Sequence, residues 1–291
     1  MYLFKRRNDL KKHLDLVRKS NKSIGFVPTM GALHNGHLSL IQAARNENDV
    51  VVCSIFVNPT QFNDPKDFEK YPITIEEDIK KLNDASTDIL FLPSVEEMYP
   101  EGLTEGEHYD FGDLETILEG KFRPGHFQGV GRIVHKLLDI VQPHKLFMGQ
   151  KDLQQCLIIR KLLQITKSNV ELVVCPTLRE TSGLAMSSRN QRLSPAARKK
   201  AVAIYEALEK LRTEFGKGLF LLEAAHEAFD ELKKQGFEPE YVDILILNDG
   251  QLRHISEPPG DHTVVAAIAA WLGEIRLIDN MVLRGSLSQK N

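Results

Sequence analysis

Cysteine is scarce in this sequence: Cys53, Cys156 and Cys175 are the only three in 291 residues, far apart and without a Cys-x-x-Cys pair. That count excludes a disulfide framework or a thiol zinc site. The three read as small buried apolar side chains of a protein kept in a reducing cytoplasm. No apolar run approaches the ~20 residues that span a bilayer. The first segment, MYLFKRRNDLKKH, has three apolar residues after Met1 before charge begins, so no signal peptide is expected. Charge of one sign is lacking as well: 37 basic against 40 acidic residues leave a net charge of -3, with no Lys/Arg stripe interleaved with aromatics. Nothing there favours nucleic acid or an anionic membrane, and small-molecule partners are expected. Internal repeats and low-complexity segments are absent too.

What is present is an ordinary globular composition, 42% apolar and 26% charged, and a length that predicts two domains at about 150 residues each. Leu10, Leu14 and Val17 at helical spacing, with Asn8 as a cap, predict a first helix over residues 8–20. Residues 23–27 read as a strand stopped by Pro28, and a helical pattern follows over 38–44. The continuous apolar run over 49–57 suits a parallel strand buried on both faces. After the polar loop QFNDPKDFEKYP come a helix in TIEEDIKKLNDA and a short buried strand over 88–93. Residues 94–125 are irregular, and a long loop inside a compact domain is more often functional than idle. A helix over 128–141, a strand over 145–149, a helix capped by Asp152 and a strand over 170–175 complete the series. The reading is an α/β fold, a doubly wound parallel sheet of five strands. From residue 177 the pattern becomes a smaller α+β domain. Ser194 and Pro195 start one long helix over 196–215, a second runs over 219–235, and strands at 241–247, 262–271 and 275–278 include an antiparallel pair joined at Gly273 and Glu274.

The stretch that organises the chain is VPTMGALHNGH, residues 27–37: strand, glycine turn, helix. Such a turn gathers backbone N–H groups at the positive end of a helix dipole, a ready place for phosphate. His34 and His37, three residues apart at the helix entry, share one face. The pattern reads as an ATP site. A lone histidine or glutamine in a loop is ordinarily a solvated or capping residue. Here Asn58 and Gln61 follow the second strand, and Gly149, Lys151 and Asp152 follow a later one. Three polar clusters at the carboxyl edge of one sheet match where doubly wound folds bind ligands.

VPTMGALHNGHLSLI, FVNPTQF, RPGHFQGV, GQKDLQQ and GLAMSSRN, in this order, resemble the motifs of the pantothenate synthetase (pantoate:β-alanine ligase) family. The match is close over residues 23–192 and general beyond. His34-Asn35-Gly36-His37 resembles the HIGH signature of the wider nucleotidylyltransferase and class I tRNA synthetase superfamily, and residues 186–189 its mobile KMSKS counterpart. The resemblance implies a Rossmann-like domain over 1–176 that binds ATP and pantoate, and a lid domain over 177–291. It also implies ATP with Mg²⁺, a cytoplasmic homodimer and no nucleic-acid partner, with no protein ligand assigned to the metal.

The same resemblance implies which residues do what. ATP contacts fall to Met30, Gly31, Ala32, Leu33, His34, Asn35, Gly36 and His37, then to Gly149, Gln150, Lys151 and Asp152, and then to Leu178, Met186, Ser187, Ser188 and Arg189. His34, His37 and Lys151 take the catalytic roles, and Asn58, Gln61 and Gln155 contact pantoate or β-alanine. A glutamine amide offers acceptor and donors without charge, which suits a hydroxy acid. Lys151 at a helix start is unfavourable to the helix dipole unless phosphate is present. Asp78 reads either as a magnesium ligand or as an ordinary acidic first helical turn, and Arg123 and His126 as residues that order the lid of the active site. Ser182 and Leu178 stand where the family more often has Asp and Val, and Thr60 where it varies. Two other classes share parts of the pattern. A dinucleotide-forming adenylyltransferase would lack the pair Gln61 and Gln155, and an RNA-interacting module would want the basic stripe that is missing.

Overall fold

The structure, a computed structural model, describes residues 1–103, 106–217, 221–248, 250–255 and 260–287. The chain divides into two compact units, residues 1–149 with 154–175, and residues 150–153 with 176–291. Each is built around its own sheet.

The first unit starts with β1 (Tyr2–Phe4), α1 (Arg7–Lys19), β2 (Ile24–Thr29), α2 (Asn35–Glu47) and β3 (Val50–Ile55). It continues through α3 (Pro65–Glu69), α4 (Ile75–Asp84), β4 (Ile89–Phe91), α5 (Val95–Met98) and α6 (Leu118–Phe122). Helix α7 (His126–Val141), β5 (Lys145–Gly149), α8 (Leu153–Ile165) and β6 (Glu171–Cys175) complete it. Its six strands lie in the order β1-β4-β3-β2-β5-β6, every pair parallel. All of β3 is buried, as its valine-rich run requires of a strand covered on both faces. Leu10 and Leu14 of α1 are fully buried, each contributing about 1.5–3 kcal/mol by leaving water. All three cysteines are buried, and loss of hydration pushes the Cys53 thiol up to about 12 and Cys175 to about 11, so neither is a nucleophile at neutral pH.

The structure differs from the sequence reading in several places. The sheet has six strands, not five, because β1 adds an edge through Tyr2↔Ile89 pairing. Strand β2 does not stop at Pro28 but runs to Thr29. Pairing with β5 has ended at Phe26↔Leu146, so Pro28 sits where the strand is paired on one side only and a proline is tolerated. Asn8 lies inside α1, whose N-cap is Arg6 with no side-chain cap bond. The irregular stretch 94–125 carries α5, α6 and a 3₁₀ turn at Gly112–Glu115. Helix α7 begins two residues early, at His126.

The second unit contains α9 (Pro195–Ala201), α10 (Ala203–Gly216), α11 (Leu221–Lys234), β7 (Glu238–Asn248), β8 (Gln251–His254), β9 (Thr263–Leu272) and β10 (Ile275–Arg284). Its strands lie in the order β10-β9-β7-β8, all antiparallel, and the sequence reading had missed β8. Leu208, Leu211 and Leu232 from the helices join Val264, Ala266, Ile268 and Ala270 of β9 in one apolar cluster. The single helix expected over 196–215 is two, divided at Val202, which keeps right-handed angles. The sequence also offers Gly216 and Gly218 as the break before the next helix; Gly216 is the last residue of α10, and Gly218 lies outside the described residues.

Candidate active site

The turn between β2 and α2 is held from outside itself. Gly31 (φ 83) and Ala32 (φ 48) both adopt left-handed angles, one of them without a glycine's freedom. The carboxylate of Asp78 on α4, fully buried, accepts from Ala32 N and Leu33 N at 2.8 Å each. One turn further along the same helix, Lys81 Nζ donates to Leu33 O at 2.8 Å. Sequence reasoning left Asp78 ambiguous. Its only sequence signal was an acid and a lysine three apart on one helix face. With both oxygens engaged on backbone amides, Asp78 acts as a clamp on the turn.

This corrects the expected source of anion-binding donors. The amides of Ala32 and Leu33 point to Asp78, Gly31 N to Thr29 Oγ1, His34 N to His37 Nδ1 (3.3 Å) and Gly36 N to His34 Nδ1 (3.1 Å). The last two bonds form a reciprocal cap at the start of α2. Each Nδ1 accepts, so in the neutral ring the proton of each histidine sits on Nε2. The two rings lie with centroids 4.0 Å apart. Gly31, Ala32 and Leu33 are buried, His34, Gly36 and His37 half-buried and Asn35 exposed. No acidic residue stands in the first turn of α2, unlike α4 with Glu76, Glu77 and Asp78, and the nearest carboxylate in this turn is that of Asp78, on the amides that precede the helix.

Beyond β3, a second group forms around Gln61. Asn58 is 1% exposed, and its Nδ2 donates to Gln61 Oε1 (3.0 Å) and Gly129 O (3.3 Å). Its Oδ1 accepts from Tyr99 Oη at 2.7 Å and from Thr60. Burial pushes the Tyr99 hydroxyl up, which keeps it protonated as that donor. Gln61 Nε2 reaches Met30 Sδ at 3.3 Å, and a thioether is a weak acceptor that a substrate oxygen would outcompete. The backbone oxygen of Gln61 meets His126 Nδ1 at 2.7 Å and Arg123 Nη2 at 3.5 Å. The residues expected to order a lid therefore tie down the turn that carries Gln61. Met30, Asn58 and Gln61 are brought together.

At the end of β5, a Cβ built on Gly149 meets no described atom within 4 Å. The fold leaves that position open. Gln155 on α8 is half-buried, while its neighbour Gln154 is structural, bridging Glu119 N and the carbonyls of Leu114 and Ile117.

In the second unit, residues 150–152 form a 3₁₀ turn in which Lys151 Nζ lies 3.5 Å from Asp152 Oδ1. Residues 178–186 form a hairpin: Met186 N donates to Leu178 O, Arg179 bridges Ala185, and Leu178 is 40% exposed. Ser187 caps the 3₁₀ turn Ser188–Arg192 by accepting from Arg189 N, and Asn190 Nδ2 holds Ala185 O at 3.0 Å. Among the described residues, no group of three or more His, Cys, Asp or Glu could hold a metal, and no helix is long and apolar enough to cross a membrane.

Comparison with known proteins adds the following. Residues 2–282 match the family model described as pantoate-beta-alanine ligase. A pantothenate synthetase from Cytophaga hutchinsonii is 45% identical over 276 residues, covering 94% of this chain and 96% of its own length. The solved pantothenate synthetase of Thermus thermophilus superposes with a TM-score of 0.89 at 40% identity, covering 98% of this chain and 100% of that one. The pantoate-beta-alanine ligase of Francisella tularensis, solved in complex with beta-gamma ATP and beta-alanine, gives a TM-score of 0.82 at 38% identity over 97% and 98% of the two chains.

Proposed function

This chain belongs to the pantoate-beta-alanine ligase family, and from that premise we propose how its residues carry the reaction. It is an ATP-dependent ligase that forms pantothenate from pantoate and β-alanine. In the first step a carboxylate oxygen of pantoate attacks the α-phosphorus of ATP. The bond to the bridging oxygen breaks, pyrophosphate leaves and pantoyl adenylate forms. In the second step the amine of β-alanine attacks the acyl carbon and loses a proton, the acyl carbon–oxygen bond breaks, and AMP leaves with the anhydride oxygen.

The observation that carries this reading is the reciprocal cap of His34 and His37 at the start of α2, which engages both Nδ1 atoms and so assigns the ring protons to Nε2. Charge grows on the phosphate oxygens as the phosphorus–oxygen bond breaks, and fixed donors aimed there lower the barrier. A donor to a charged oxygen contributes about 1.5–3 kcal/mol. His34 and His37 take that role, Lys151 adds a full charge, and Ser187, Ser188 and Arg189 supply further donors. Met30, Gly149 and Leu178 border the adenosine. Gln61 and Gln155 hold pantoate's hydroxyls and carboxylate, and Asn58 acts through Gln61. Magnesium would be held by ATP rather than by a protein ligand, and would supply charge neutralisation at the phosphates. The first unit, the expected 1–176 without residues 150–153 and 176, binds ATP and pantoate, the second, with residues 150–153 and 176 added to the expected 177–291, serves as the lid, and the enzyme works as a cytoplasmic homodimer. A smaller radius of gyration with ATP and pantoate, and a sedimentation mass of two chains, are the expected results.

The direct test is exchange of labelled pyrophosphate into ATP with pantoate present and β-alanine absent. Exchange that needs pantoate, and falls by a factor of about 10² in His37→Ala, is expected. Exchange indifferent to pantoate would refute the acyl adenylate.

A further inference from the structure

Two segments assigned above to ATP, residues 150–152 and 186–189, belong to the second unit, and both are anchored by adjacent residues of β10. Asn280 is 3% exposed. Its Nδ2 donates to the carbonyls of Gln150 (2.9 Å) and Lys151 (2.8 Å), and its Oδ1 accepts from Gln150 Nε2 at 3.2 Å. One planar amide thus fixes two consecutive peptide planes, and with them the direction in which the Lys151 side chain leaves the backbone. Asp279, 4% exposed, pairs with the guanidinium of Arg179 through both of its oxygens. Arg179 also donates to Gly183 O at 3.1 Å and to Asn280 O at 3.4 Å, and lies over the Tyr205 ring at 4.6 Å. It is the rung of the hairpin that leads into Met186 and Ser187. Consecutive strand residues face opposite sides of a sheet. One dipeptide therefore holds one segment on each face of β10.

We propose that Asn280 is a positioning residue of this ligase: it holds the Gln150–Lys151 backbone so that the Lys151 ammonium meets the ATP phosphates, while Asp279 holds the loop over 186–189 from the same mount. The inference rests on the reading that Lys151 contacts ATP. It assigns a role in nucleotide binding to β10, far in sequence from every motif of the site. Asn280 acts through the carbonyls of Gln150 and Lys151 and the Gln150 amide, so its loss shifts this turn without removing any group that touches substrate. The signature is then a change in ATP affinity carried chiefly through Lys151.

The test uses the full chain with Asn280→Ala and Asn280→Asp, the second keeping size and shape while replacing the donor by an acceptor facing two carbonyls. Initial rates give KM for ATP and for β-alanine. Loss of two neutral hydrogen bonds on the Lys151 turn should raise the ATP KM by about fivefold or more, with the β-alanine KM within about twofold of wild type. In a Lys151→Ala background the Asn280 substitution should add much less than it does in the wild type. Thr263→Val serves as the structural comparison, because Thr263 is a buried polar residue of the neighbouring strand β9 whose hydroxyl donates to Ser286 O rather than to the turn at 150–152. An ATP KM unchanged in the folded Asn280 variants, or raised equally by Thr263→Val, overturns the inference. Lys151→Ala separates the two levels. If it leaves ATP KM and pyrophosphate exchange intact, the reading of Lys151 itself fails; if it impairs them while Asn280→Asp does not, only the role of Asn280 fails.

Discussion

Asp78 and Leu33, 45 residues apart in sequence, are joined by a hydrogen bond of 2.8 Å from the Leu33 amide to Oδ1, while Oδ2 takes the Ala32 amide at the same distance. The carboxylate does for this turn what a capping side chain does for a helix end. It holds Ala32 at φ 48, an angle that costs an alanine about 1–2 kcal/mol, and fixes the entry of α2 and with it the two histidines.

Replacing Asp78 by Asn turns one acceptor into a donor that faces a backbone N–H. Leaving that amide unsatisfied in the interior should lower the unfolding free energy by about 1–3 kcal/mol. Pyrophosphate exchange should fall with it, because the histidine pair loses its mount. Urea titration reads the first effect, and Glu77→Gln on the exposed side of the same helical turn should show neither. A stable, fully active Asp78→Asn protein would refute the clamp.

Gly129 on α7 lies against the turn that carries Gln61, where a Cβ would stand 2.4 Å from Thr60 O. Gly129→Ala must push α7 away from residues 59–61, and Asn58 then loses its bond to Gly129 O. Overpacking of this kind costs about 1–3 kcal/mol. The distinguishing result is a raised KM for pantoate with that for ATP much less affected, measured by steady-state kinetics.

Gly149 is the opposite case. Its position has room for a Cβ within the protein, so Gly149→Ala should leave thermal stability nearly unchanged, within about 1 kcal/mol. If the glycine is there to let a nucleotide approach the backbone, the same variant weakens ATP binding by calorimetry. Unimpaired binding would mean that the open space is not the ligand's.

Asp49 joins the starts of β2 and β3 by accepting from Ser23 N at 2.7 Å and Ser23 Oγ at 2.8 Å. The backbone bond first, then the hydroxyl, hold its carboxyl below the ordinary 3.8. Its pKa is depressed by folding, so its contribution to stability is present above the unfolded value and lost as pH falls through the folded one. Carboxyl NMR should show Asp49 titrating below 3.8, and Ser23→Ala, which keeps the amide, should move it partway back up. Titration at the ordinary value in the parent protein would contradict the bonds described.

The sequence alone determined the order of strand, glycine turn and helix around VPTMGALHNGH, the parallel sheet, the antiparallel α+β unit and the family. Each of these is written in neighbouring residues: apolar period, turn glycines and motif order. The tertiary structure alone decided that the Ala32 and Leu33 amides face Asp78 and that Asn58 donates to the Gln61 side chain. It alone revealed β1, whose three residues carry no period long enough to detect, and the hold of Asn280 on Lys151 across 129 positions. A hydrogen bond between distant segments depends on where the packed core brings them. Local patterning specifies which elements form, and only their packing decides which polar groups meet.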